Sequence, residues 1–159
     1  MLRIWPMNTL LSRKKSRTVR LRGLAVLAGA GAVICAAGLL LPNSAGYATH
    51  LQMGLPSCGY LARTGYPCPG CGVTTSLAAM ARGQLGLAWG AQPFGVAVFL
   101  AVVAAGLAGL GELLRGQNIL GKIPSPRWWW LGLILIAWLG GWACKLLAGL
   151  ARGEYPIGR

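Results

Sequence analysis

Acidic side chains are almost missing from this chain. Its 159 residues include only Glu112 and Glu154, against fifteen lysines and arginines. Two isolated carboxylates all but rule out paired-carboxylate acid–base chemistry. Histidine occurs once, at His50, and nothing in the sequence resembles a serine, carboxylate or phosphate-binding active site. Charge of either sign is scarce, at 11% of residues, where soluble domains carry about a quarter. No internal repeat and no low-complexity domain is present.

What is abundant is apolar. Hydrophobic residues make up 55% of the chain, and there are 25 glycines. A chain of this length cannot hide that excess in one water-facing core, and the glycines suit helices packing closely in lipid. The net charge of +13 raises the question of nucleic acid, but its distribution argues for lipid. Seven of the basic residues (Arg3, Arg13, Lys14, Lys15, Arg17, Arg20 and Arg22) precede the first apolar run, and the rest sit mostly at the ends of apolar segments. No basic, aromatic-interleaved domain exists to bind a nucleic acid.

Three apolar runs are long enough to span a bilayer, which takes roughly 20 residues. They cover 23–41, 94–114 and 128–150. The first is longer than the 7–15 residues usual for a secretory h-region, so it reads as an uncleaved anchor, despite the small residues Ser44 to Ala48 that follow. Trp128-Trp129-Trp130 opens the third run as an interfacial belt. Lys145, near its far end, is expected to snorkel outward. With the N-terminus in the cytoplasm, ten basic residues fall inside, the seven above plus Arg115, Lys122 and Arg127. Five fall outside: Arg63, Arg82, Lys145, Arg152 and Arg159. That bias supports a multi-pass protein of a bacterial cytoplasmic membrane, N-terminus inside. Residues 1–22 form a basic segment, disordered until it meets the lipid surface. Residues 23–150 form the membrane domain, and 151–159 a short tail.

Residues 73–91 tempt a fourth span, but Arg82-Gly83-Gln84 interrupts them. An arginine at mid-membrane costs about 2.5–3.5 kcal/mol on insertion scales, and Gly83 reads as a helix stop. Two short interfacial helices are predicted, at 73–82 and 85–91. The fold class is therefore an all-α integral membrane protein with three transmembrane helices, plus short interfacial helices after a Cys-Pro-Gly-Cys-Gly loop.

That loop carries the only chemistry in view. Cys35 and Cys144 lie in spans and read as inert small apolar residues. Cys58, Cys68 and Cys71 share the segment 43–92, within Cys68-Pro69-Gly70-Cys71-Gly72-Val73-Thr74-Thr75-Ser76 and the upstream Ser57-Cys58-Gly59. Two residues between sulfurs let both reach one metal or close a small disulfide. Thr74, Thr75 and Ser76 are placed to cap the following helix, whose N-terminus would stabilise a thiolate. Three readings stand: a structural disulfide, a metal site (zinc held by Cys58, Cys68 and Cys71, with His50 as a possible fourth ligand), and a redox pair. No βαβ pattern surrounds the motif to favour the last, and the balance leans away from an enzyme.

From about Leu55 to Leu100 the chain resembles the bacterial membrane-protein family of unknown function numbered 2752. The resemblance rests on Cys58, Thr64-Gly65, the run Cys68-Pro69-Gly70-Cys71-Gly72-Val73-Thr74, Arg82-Gly83 and Gln92-Pro93. Two positions depart from the family's pattern. Thr75 stands where an arginine is frequent, and Gln92 where an asparagine is. The resemblance implies a membrane protein bearing this motif and no established activity. The expected partners are the lipid bilayer and a membrane protein or second copy of the chain, with glycines 106, 109, 111, 140 and 141 available for helix association. The expected function is an accessory or scaffold role with a structural or metal-binding cysteine site; a thiol–disulfide oxidoreductase is the alternative.

Overall fold

The computed structural model describes residues 7–122 and 127–156, with side chains from residue 16 onward. Arg3 and Arg159 of the charge count lie outside the described residues. Among those described, six α-helices run in order: α1 Met7–Leu39, α2 Gly59–Thr64, α3 Val73–Ala81, α4 Leu85–Ala91, α5 Pro93–Arg115 and α6 Trp128–Ala151. Short 3-10 turns occupy Thr49–Met53 and Leu120–Lys122, and no strand occurs among the described residues. Three helical stretches are long and apolar enough to cross a membrane: Ser16–Leu39, Pro93–Arg115 and Trp128–Ala151. The all-α, three-span architecture follows.

Helix α1 differs from expectation at its start. It runs unbroken from Met7 through the basic segment, where disorder was expected. Between Met7 and Gly23 there is no proline or glycine, and leucine, lysine and arginine are good helix formers. At 33 residues and 1.5 Å per residue it is about 50 Å long, well beyond a ~30 Å hydrocarbon layer. The basic turns therefore extend past the apolar part.

Residues 73–91 form two helices broken where the sequence predicts. Gly83 takes φ +72°, the left-handed conformation of a helix stop. Arg82 does more than interrupt: its guanidinium donates to the carbonyls of Gly38 at 2.9 Å and Leu40 at 3.2 Å. These belong to the last turn of α1 and the residue after it, where carbonyls lack helical partners and a cation is favoured.

The chain gathers into two compact units, Met1–Val33 with Val102–Ser125, and Ile34–Ala101 with Pro126–Arg159. In the first, α1 and α5 meet at glycines. A Cβ added to Gly23 would lie 2.6 Å from the Gly109 carbonyl oxygen, and one on Gly109 would lie 2.8 Å from that of Gly23. Gly106 faces Ala30, and Gly111 faces Ile119, so these small residues pack within the chain. Beside them Glu112 is fully buried. Arg22 grips it through Nε at 3.1 Å and through a second guanidinium nitrogen, and the Leu120 N–H donates to it at 2.7 Å. Its partner is thus Arg22, ninety positions away, and not the nearby Arg115.

The second unit has a core of small side chains. Ala78, Ala79, Ala88 and Ala91 are all fully buried. Gly95 fits against Ser76, and Gly141 against the backbone nitrogen of Phe94. Gly141, Lys145 and Gly149 are the buried residues of α6, one narrow stripe at four-residue spacing. Elsewhere α6 exposes leucines and isoleucines such as Leu131, Ile134, Ile136 and Leu147, as a lipid-facing helix does. Trp129 and Trp130 stack at its start with ring centroids 5.0 Å apart.

Candidate thiol and metal site

The three loop cysteines converge. The sulfurs of Cys58, Cys68 and Cys71 all lie within 4.8 Å of one another, and those of Cys68 and Cys71 are 3.2 Å apart. The turn Cys68-Pro69-Gly70-Cys71 closes with the Cys71 N–H on the Cys68 carbonyl at 2.9 Å. Gly72 then takes φ +98° and opens α3. This glycine has no replacement with a side chain: an added Cβ would run into the Ala91 carbonyl oxygen and sit 2.7 Å from Lys145 Nζ. Cys35 and Cys144 are exposed and take no part.

The loop is held from outside by three side chains on its alternate carbonyls. Trp142 Nε1 donates to Pro67 O at 2.8 Å, Gln92 Nε2 to Pro69 O at 3.1 Å, and Lys145 Nζ to Cys71 O at 3.1 Å. Lys145 also donates to Gly46 O at 3.1 Å. It is 6% exposed, so it does not snorkel; it turns inward onto carbonyls. None of the three was singled out in the sequence as a site residue. The available signals were a lysine inside an apolar span, a tryptophan three residues before it, and a polar residue opening a span at Gln92-Pro93.

The expected helix cap is not formed. Gly72 occupies the N-cap of α3, and no side-chain cap bond is made. Thr75 is buried, with its hydroxyl 2.8 Å from that of Thr49. Ser76 is buried too, and its hydroxyl has no partner; nor does the Gln92 side-chain oxygen. His50 is not among the converged groups. Its ring Nε2 lies 3.2 Å from the Pro56 carbonyl, although it borders a small, almost wholly apolar cleft of about 160 Å³ with Cys58 and Cys71.

The thiols are electrostatically unequal. Partial burial raises the pKa of Cys58, but backbone N–H groups of Leu61 and Tyr60 and the thiols of Cys71 and Cys68 stabilise its thiolate, and the sum lies below the ordinary value. Cys71 is pushed up to about 12, first by burial and then by thiol contacts with Cys68 and Cys58 that favour its protonated form. The sequence places a stabilised thiolate at the start of the helix that follows the motif. The structure instead gives the lowered value to Cys58, which immediately precedes α2.

The arrangement suits a thiophilic cation. Tetrahedral zinc, with Zn–S bonds near 2.3 Å, places ligand sulfurs roughly 3.8 Å apart. The observed spacings, 3.2 Å for Cys68–Cys71 and up to 4.8 Å across the three, bracket that separation. A bound dication also reverses the penalty at Cys71, because coordination deprotonates a thiol outright.

Residues 58–106 match the family described as "Protein of unknown function (DUF2752)". The match begins at Cys58, takes in all three cysteines and Gln92, and ends before Trp142 and Lys145. No curated protein and no solved structure matches the chain.

Proposed function

We propose that this is a multi-pass protein of a bacterial cytoplasmic membrane that holds a zinc-like dication on Cys58, Cys68 and Cys71, and serves as an accessory or scaffold subunit. The observation that carries the reading is the convergence of three sulfurs within 4.8 Å from two separate stretches of chain. Three thiolates around a dication carry one net negative charge, and the Lys145 ammonium, seated on the Cys71 carbonyl, supplies the opposite one. Three protein ligands leave a fourth position for a water, a partner's side chain or a substrate. The ten-to-five division of basic residues supports a cytoplasmic N-terminus and an external cysteine loop.

A second reading draws on the unequal thiols. In a thiol–disulfide oxidoreductase the Cys68–Cys71 pair would cycle with Cys58. Cys58, with its lowered pKa, is the readiest of the three to attack a disulfide.

One experiment separates the two. Protein purified in detergent is assayed for zinc and free thiols, and intact cells are treated with an impermeant alkylating reagent. Labelling blocked until a chelator is added, with one zinc per chain, supports the metal site on an external loop. Labelling only after reductant, with no metal, transfers support to the redox reading. Thiols reactive in lysed cells and in no intact-cell treatment invert the proposed orientation.

A further inference from the structure

A second cavity, of about 370 Å³, opens in the same unit beside the thiol site. Its wall is formed by Ser44, Tyr47, Gly86, Gly90, Lys145 and Tyr155, with Arg152 and Glu154 at its rim. We propose that this cavity binds a phosphate-bearing anion, with a glycerophosphate headgroup as the matching shape. The proposal does not rest on the thiol reading.

Four observations support it. Lys145 is buried, and it donates to two neutral backbone carbonyls. An ammonium offers three donors, so one N–H remains for a ligand. Arg152 and Glu154 are paired at 2.8 Å, so the lining carries one net positive charge. Ser44, Tyr47 and Tyr155, each bearing a hydroxyl, line the same wall, a composition that suits an anion with several acceptor oxygens. The volume exceeds what a bare ion needs and lies at the lower end of small-molecule sites.

The glycines of α4 shape the space. Gly86 and Gly90 are one helical turn apart, and a Cβ at either meets nothing within 4 Å. They leave the cavity open without any backbone requirement for glycine, so a side chain placed there enters the cavity with no clash at its Cβ. The cavity also involves the last turns of α6 and the residues after it. A headgroup region is met at the end of a span, so a cation-bearing cavity there lies at the depth of a phospholipid phosphate.

The test uses the full chain in detergent, titrated with phosphatidylglycerol and followed by native mass spectrometry, with diacylglycerol as the phosphate-free comparison. Phosphatidylglycerol should be retained and diacylglycerol not. Gly90→Leu, which fills the cavity, and Arg152→Gln, which removes a cation, should each weaken retention by about tenfold, with unchanged melting and unchanged thiol and metal content. Competition by sn-glycerol 3-phosphate or inorganic phosphate would make a soluble phosphate compound the natural occupant; no competition would make it the lipid headgroup. Equal retention of both lipids, no retention of either, or full retention by both variants overturns the proposal.

Discussion

Lys145 donates to the carbonyl oxygen of Cys71 across 3.1 Å, joining the most buried thiol residue to the one lysine of α6. The bond fixes the loop's last carbonyl and brings a positive charge to the sulfur cluster. Residues that orient metal ligands commonly contribute 10–100-fold to affinity. Lys145→Met should therefore reduce zinc affinity by about that factor while all three cysteines remain. Competition with a chromophoric chelator would measure it. An unchanged affinity would mean that the lysine serves only the fold or the neighbouring cavity.

Gly72 and Gly83 allow a controlled comparison of strain with collision. Both have positive φ, at +98° and +72°. An alanine Cβ at Gly83 meets nothing within 4 Å, whereas one at Gly72 meets Lys145 Nζ, Gly46 O and Ala91 O. Gly83→Ala should cost about the 1–3 kcal/mol of local backbone strain. Gly72→Ala should cost clearly more and also release the zinc. Thermal unfolding in detergent, scored with and without chelator, distinguishes them.

Thiol reactivity in the metal-free, reduced protein should follow the unequal pKa values. The reacting form is the thiolate, whose fraction rises as pH passes the pKa. Cys58, with its lowered value, should alkylate first near neutral pH and level off as pH rises. Cys71, near 12, should stay almost inert at neutral pH and gain about tenfold per pH unit through pH 10. Peptide mapping after iodoacetamide at several pH values reads both. Early labelling of Cys71 would contradict the burial that sets its pKa.

The spans and the cysteine loop were legible because each is written locally. Apolar run length gives the three spans, and Arg82-Gly83 gives the break between α3 and α4. What holds the loop was not legible, because it is made at a distance. Trp142 and Lys145 follow Pro67 and Cys71 by more than seventy positions, and within α6 they look like an interfacial aromatic and a snorkelling cation. Lys145 turns inward because Gly72 leaves room for its ammonium and two carbonyls await it. The threonines after the motif misled for a related reason. Thr75 finds a buried hydroxyl partner in Thr49, and a glycine already opens the helix. The scarcity of acidic residues sets a limit on catalysis. It also meant that the one carboxylate in an apolar helix had to have a partner, which could have led from Glu112 to the basic end of α1.

That partnership yields the last prediction. Glu112 is fully buried and accepts from Arg22 and from the Leu120 N–H, while Arg22 also donates to Asn118 at 2.6 Å. Arg22 is 41% exposed and Glu112 fully buried, so loss of Arg22 strands a buried carboxylate, loss of Glu112 forfeits its contacts, and loss of both strands nothing. Glu112→Gln and Arg22→Gln should therefore each lower the melting temperature and speed proteolysis of the 116–122 segment. The double variant should be less impaired than the sum of the two. Arg115→Gln, which alters the sequence neighbour, should change neither measurement. If the two single effects simply add, the pair contributes no coupling, and Glu112 acts through the Leu120 N–H alone.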